Sequence, residues 1–318
     1  MRRHAIWVLI LVAVLAFPGL EVANAAVRLG LILAAHGSPA PQWNAPVLAL
    51  EGEVQALLSE AGPSPFISTR VAMMEFAEPS IASVIEDMER EEVERALVLP
   101  LFIAPSGHSV YDLPAILGLY SDREMRGQLQ EEGITVASTS IHLAMGPTLN
   151  YGSLLRDVLL ERTRELSTEP QSEGIVLLAH GDHRFAPIWE STCQEIGSFI
   201  CAHTGITEFD FAFVEVGQSF IPEGVAAILG VTERCERTLV LGLYLSMGVE
   251  SMAKSSELSV GRMSFRAAET LQDHDIVFAA RGLLPSRQVA RWIAARAIEW
   301  ANERSLHPGL PPEAPADR

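Results

Sequence analysis

The chain has 318 residues, 48% of them hydrophobic, which is enough apolar material for two cores of ordinary domain size. Its 40 acidic residues against 23 basic ones give a formal net charge of −17, and such a surface repels nucleic acid and anionic membranes, so neither is expected as a partner. The three cysteines include no Cys-x-x-Cys pair, which excludes a zinc site of that kind.

Arg2-Arg3-His4 is followed by an apolar run from Ala5 to Phe17 and then by Ala23-Asn24-Ala25. A positive start, a short apolar core and an Ala-x-Ala ending read as a secretory signal peptide over 1–25, cut after Ala25. No cysteine lies near the cut, and no later apolar run reaches the length of a membrane span. The expectation is an exported protein, periplasmic or secreted, with no stable membrane anchor once the leader is removed.

The run Leu31-Ile32-Leu33-Ala34-Ala35 reads as a buried strand that stops at His36-Gly37-Ser38. Apolar residues at helical spacing predict a helix over 42–60. A strand is expected over 66–74, then a helix from Pro79, which suits a first helical turn, to about Arg90. Arg95 to Ile103 reads as a strand leaving through Ala104-Pro105-Ser106-Gly107-His108. A helix over 113–132, a strand over 134–138 and a helix over 149–166 complete the first half.

The polar stretch 167–173 reads as a linker. The second half then repeats the order: strand 174–179, helix 187–202, strand 209–215, helix 222–232, strand 238–245, a helical stretch to about 271, strand 275–279 and helix 286–303. The motif also returns, as Ile175-Val176-Leu177-Leu178-Ala179-His180-Gly181-Asp182. Glu75 with Glu215, and Leu97-Val98-Leu99 with Leu239-Val240-Leu241, recur at nearly the same offset, so an internal duplication is expected.

Strands alternating with helices predict parallel sheets covered on both faces. The expected fold is α/β: two tandem doubly wound domains, 26–166 and 174–304, with a cleft between them and a disordered tail over 305–318. Cys193 and Cys201 share one predicted helix, roughly 12 Å apart in rise, too far to bridge. Cys235 has the choice of pairing with either, and burial as small apolar residues is the default reading.

In a doubly wound sheet the loops after the strands share one edge, where ligands bind. That edge gathers His36, Glu75, Glu78, His108 and Asp112 from the first half, and His180, Asp182, His183, Glu215 and Glu250 from the second. His142, at the end of the fourth strand, is a weaker addition, while His203, His274 and His307 read as surface residues. Imidazoles beside carboxylates suit a divalent transition metal such as Co²⁺, Fe²⁺ or Ni²⁺, and can also take protons near neutral pH. Asp112, just before a proline, either caps the following helix or serves the site. No glycine-rich phosphate loop and no Gly-x-Ser-x-Gly elbow is present, so neither a nucleotide nor hydrolase chemistry is expected.

Ala35-His36-Gly37-Ser38, then Glu75-Phe76-Ala77-Glu78-Pro79-Ser80, then Leu99-Pro100-Leu101-Phe102 leading to Gly107-His108 and Asp112-Leu113-Pro114, resemble the class II tetrapyrrole chelatases, and among them the CbiX/SirB-like sirohydrochlorin chelatases. The resemblance covers most of 29–160, with 174–304 as a weaker second copy. It implies insertion of Co²⁺ or Fe²⁺ into a tetrapyrrole such as sirohydrochlorin without ATP. On that model His36 and His108 hold the metal and receive the pyrrole protons, with Glu75 as helper. Ser38, Asp112 and Arg70 would contact the macrocycle, with Arg184, Lys254 and Arg281 as further cations for its carboxylates. His180 and Glu250 look like the His-plus-Glu pair of protohaem ferrochelatases and are expected as a second metal site or its remnant. The alternative function is a periplasmic binder of a haem-like tetrapyrrole or of metal ions.

Overall fold

A computed structural model of the protein describes residues 27–60, 62–260 and 263–306. The leader expected over 1–25 and residues 307–318 of the expected tail, His307 included, lie outside the described residues; 305 and 306 belong to the last helix.

The first half runs β1 (Leu29–Ala35), α1 (Pro41–Glu60), β2 (Phe66–Met73), α2 (Ile81–Arg90), β3 (Arg95–Pro100), α3 (Leu113–Ile116), α4 (Arg123–Glu131), β4 (His142–Met145) and α5 (Leu154–Leu166). The second runs β5 (Glu173–Ala179), α6 (Ala186–Thr204), β6 (Glu208–Phe213), α7 (Ala226–Thr232), β7 (Arg237–Leu243), α8 (Val249–Ser255), β8 (Glu257–Val260), β9 (Met263–Arg266), α9 (Ala267–Leu271), β10 (Ile276–Phe278) and α10 (Arg287–Leu306). Among the described residues no helix is long and apolar enough to cross a membrane.

Each half forms a four-stranded parallel sheet with the same order, β2-β1-β3-β4 and β6-β5-β7-β10. Strand residues of the first sheet alternate between two cores. Ile32, Ala34, Ala72, Ala96 and Val98 face α2, α3 and α4 in one cluster. Leu31, Leu33, Val71, Met73, Leu97 and Leu99 face α1 and α5 in another, which continues without a break into the second half. The helices α1, α5, α6 and α10 form a shared middle layer: α1 packs on α10, α5 on α6, and α5 also reaches β7.

Several expectations are corrected. Pro79 precedes α2 and does not open it: the Glu78–Pro79 peptide is cis, and Ser80 caps the helix by accepting from the Ser83 amide. The helix expected over 113–132 is interrupted between Ile116 and Arg123. Residues 134–138 make no ladder; their amides go instead to helix carbonyls, Ile134 N to Leu129 and Ala137 N to Ile116, leaving the edge of β3 to His142–Met145. The stretch to 271 contains the antiparallel hairpin β8–β9 as well as helix. Residues 167–173 are no loose linker, because the buried Glu173 carboxylate accepts from Ser167 Oγ at 2.5 Å, Thr168 N at 2.8 Å and Glu169 N at 3.2 Å, with Arg237 at 3.2 Å. Cys193, Cys201 and Cys235 are free, and burial pushes the Cys193 thiol up to about 12.

Candidate metal centre

The chain leaves β1 toward β2 and leaves β3 toward β4, in opposite directions from two neighbouring strands. The carboxyl ends of that pair form the crevice of a doubly wound sheet. His36 follows β1 there, and His108 follows β3.

Glu75 reaches the same point because β2 continues its pairing past its last ladder residue. Met74 N donates to Ala35 O and Glu75 N to His36 O, both at 2.9 Å. The backbone then turns sharply, with Phe76 at φ 63° and its ring 5.8 Å from that of His36. Gly37, at φ +89°, lies under this turn, and a Cβ there would stand 2.1 Å from Glu75 O. Only glycine fits both demands.

One ligating atom each from His36, Glu75 and His108 lie within 4.8 Å of one another, all three residues being half-buried. The His36 and His108 rings meet edge to face with centroids 4.6 Å apart. His36 Nδ1 lies 3.0 Å from Gly37 O, and a carbonyl can only accept, so Nδ1 carries the proton and Nε2 keeps its lone pair. His108 Nδ1 lies 2.8 Å from Asp112 Oδ2, one turn along the π-helical segment His108–Asp112. A carboxylate behind an imidazole orients the ring and raises its basicity. The hydrogen bond to Asp112 holds the His108 pKa above its ordinary value; desolvation opposes it, and the charges of Asp112, Glu75 and Asp182 add to it. Asp112 makes no side-chain cap to α3, so its carboxylate serves His108.

Other expected residues fall elsewhere. Arg70 pairs with Ile32 in mid-strand and its guanidinium binds Glu91 at 2.7 Å, at the far end of α2. That is the opposite edge of the sheet, because α2 runs back from the crevice, so Arg70 is not a macrocycle contact. Ser38 sits in the right loop, but its hydroxyl accepts from Ala40 N at 3.1 Å and leads the chain into α1. Glu78 likewise accepts from Ser80 N at 2.6 Å, at the start of α2. His142 begins β4 and does not end it; its register partner is Arg95, the first residue of β3, which puts it at the opposite edge.

In the second half His180 Nδ1 donates to Gly181 O at 2.8 Å, as His36 does to Gly37. Glu250, however, binds Lys254 at 2.6 Å, and neither His180 nor Glu250 joins a set of three ligating side chains among the described residues. Arg281 is paired with Glu165 at 3.1 Å, whereas Arg184 lies over the Tyr111 ring at 5.7 Å, next to the His108 segment. His183, His203 and His274 are exposed.

Asp182 follows His180 and Gly181 at the end of β5. Its Oδ2 accepts from Gly107 N at 2.9 Å, across the two halves. The rings of Phe76 and Phe102 lie 5.8 Å from that of His36 and 6.4 Å from that of His108.

The CbiX family model matches residues 30–166. A sirohydrochlorin cobaltochelatase of Methanococcoides burtonii is 27% identical over 139 residues, covering 44% of this chain and 97% of that protein. The solved structure of SirB from Bacillus subtilis with Fe³⁺ superposes with a TM-score of 0.59 at 14% identity, over 87% of this chain and 97% of that one. The sirohydrochlorin chelatase SirB from Bacillus subtilis subspecies spizizenii, in complex with cobalt, gives 0.58 at 14% identity, with the same coverage of both chains. At that identity the two structures speak for the fold of both halves.

Proposed function

We propose, from the match of the CbiX family model to residues 30–166, that the protein is a metal chelatase that inserts Co²⁺ or Fe²⁺ into a tetrapyrrole of the sirohydrochlorin type. The observation that carries the reading is the convergence of His36, Glu75 and His108 within 4.8 Å at the switch point of the first sheet.

Two demands define the reaction: the metal must be held loosely enough to leave, and the macrocycle must lose two N–H protons. Two imidazoles and one carboxylate form a mixed donor set suited to a first-row divalent ion. In the proposed mechanism the Nε2 atoms of His36 and His108 hold the incoming metal, and Glu75 offsets its charge. As the metal passes to the macrocycle the same groups are vacated and take up the displaced protons, which they do efficiently when their pKa lies near the working pH. Asp112 keeps the His108 ring turned so that Nε2 faces the metal. No step calls for ATP. Arg184 on Tyr111 offers a cation and a ring face to a carboxylated macrocycle beside His108.

Two further readings belong to the proposal. The basic start, apolar run and Ala23-Asn24-Ala25 support export to the periplasm or exterior. Equal sheet orders, and amides donated alike from Glu75 to His36 O and from Glu215 to His180 O, support descent of the halves 26–166 and 174–304 from one duplicated unit.

The test is to supply the purified protein with sirohydrochlorin and Co²⁺ or Fe²⁺ and follow the absorbance change. Acceleration over the uncatalysed rate, lost when His36 and His108 are both replaced by Ala, is expected. Tight retention of metal or macrocycle with no acceleration would show a binder instead.

A further inference from the structure

The repeated motif differs at one position of consequence. Where the first half has His36-Gly37-Ser38, the second has His180-Gly181-Asp182. Ser38 Oγ accepts from the amide two residues on, Ala40 N, at 3.1 Å. Asp182 Oδ1 does the same with Arg184 N at 2.8 Å. A hydroxyl has one oxygen for that task, whereas a carboxylate has a second to spare. In Asp182 that second oxygen, Oδ2, crosses to the other half and accepts from Gly107 N, the residue immediately before His108.

The contact is one of several on the same segment. Trp189, buried on α6, donates from Nε1 to Pro105 O at 2.8 Å. The Phe185 ring lies 6.4 Å from that of Tyr111, and the Arg184 guanidinium covers Tyr111. The second half therefore grips the loop on both sides of His108, at Pro105 and Gly107 before it and at Tyr111 after it. His108 itself has its ring set by Asp112 from its own segment, while the amide just before it is tied to the other half.

We propose that Asp182 is a positioning residue: by fixing the Gly107 amide it holds His108 against His36 and Glu75, so that the second half, which assembles no comparable ligand set of its own, completes the metal site of the first. The proposal rests on the reading of His36, Glu75 and His108 as the metal-holding set. It gives the duplicated half a task in the reaction distinct from a second metal site.

The test uses the full chain with Co²⁺ alone as the probe, so that it does not depend on turnover. Asp182→Ser keeps the local turn, as Ser38 does in the first half, and loses the reach to Gly107 together with the carboxylate charge near His108. It should weaken Co²⁺ binding about tenfold, in line with the loss of an outer contact behind a ligand. It should also alter the visible spectrum of the bound ion while leaving the thermal midpoint near that of the parent. In a His108→Ala background the same substitution should cost nothing further, because the ligand it positions is gone. Unchanged affinity and spectrum in Asp182→Ser, or an equal loss with and without His108, would overturn the positioning role alone. Co²⁺ binding indifferent to both His36→Ala and His108→Ala would overturn the reading of the site, and the positioning role with it.

Discussion

The His36 ring meets the edge of the His108 ring with centroids 4.6 Å apart and planes at 79°. Two imidazoles in that relation bring ligating nitrogens within 4.8 Å of each other and of a Glu75 carboxylate oxygen. They should act as a unit. His36→Ala and His108→Ala are each expected to lower the chelation rate by at least about 10²-fold, and the double variant to be little worse than either single one. Rates measured under metal saturation check this; full activity in either single variant would sink the assignment.

In the proposed site Asp112 is expected to set the pH range of metal loading. It accepts from His108 and holds that imidazole above its ordinary pKa, so the ring keeps its proton to a higher pH than an isolated histidine near about 6.5. Metal and proton compete for the same ring. Co²⁺ loading should therefore fall as the pH drops through a value above the ordinary one, and in Asp112→Asn that midpoint should move to lower pH. At high pH, where competition has ended, the same variant should bind metal more weakly, by about 10-fold to 100-fold. A Co²⁺ absorbance titration across the neutral range reads both effects, and an unmoved midpoint would count against the role given to Asp112.

Gly37→Ala tests the backbone under Glu75. The φ of +89° and the carbonyl 2.1 Å from the new Cβ leave no conformation that keeps both the turn and the ligand in place. A loss of stability of about 1–3 kcal/mol is expected, with weaker Co²⁺ binding as Glu75 is displaced. Chemical denaturation and metal titration of the same variant check the two together.

Glu173 governs acid stability. Burial alone would raise its pKa, but donors from Ser167, Thr168 and Glu169 outweigh that and hold the carboxyl below its usual value. A depressed folded-state pKa contributes stability that is present above the unfolded value, near about 4.3, and is lost as pH falls through the folded one. The parent should therefore lose denaturant resistance on acidification below about pH 4. Glu173→Gln should start about 1–3 kcal/mol lower at neutral pH and show a flatter profile. Urea midpoints measured at a series of pH values decide it.

The grouping of His36 and Glu75, proposed here to hold the metal with His108, was legible in the sequence because both lie within two residues of a strand end. A residue just after a buried parallel strand reaches the crevice whether or not the strand boundary is read one residue early, which accounts for His36 and Glu75; His108 lies eight residues past β3 and reaches them through the loop and π-helical turn that follow it. Arg70 and His142 failed for the complementary reason: both belong to strands, but at mid-strand or at the first residue, where the sheet presents them to the other edge. The 134–138 stretch has the apolar alternation of a strand, yet Ile134 and Val136 spend it packing on the outer cluster, and pairing with β3 goes to the less apolar 142–145. Asp182 had a signal, the change from Ser to Asp inside a repeated motif, but its meaning depends on how the two halves dock, which no local pattern carries.

The inner core of the first half runs unbroken through α1, α5, α6 and α10 into the second, while the outer core under α2, α3 and α4 belongs to the first half alone. The two halves therefore share an inner core, and depth divides the first half further. Amide exchange should reveal two tiers: a slow one shared by β1, β3, β5 and β7 that opens only when the whole chain unfolds, and a faster one confined to α3, α4 and the residues between them. Heat should accordingly melt both sheets in a single transition, despite the two-part look of the sequence.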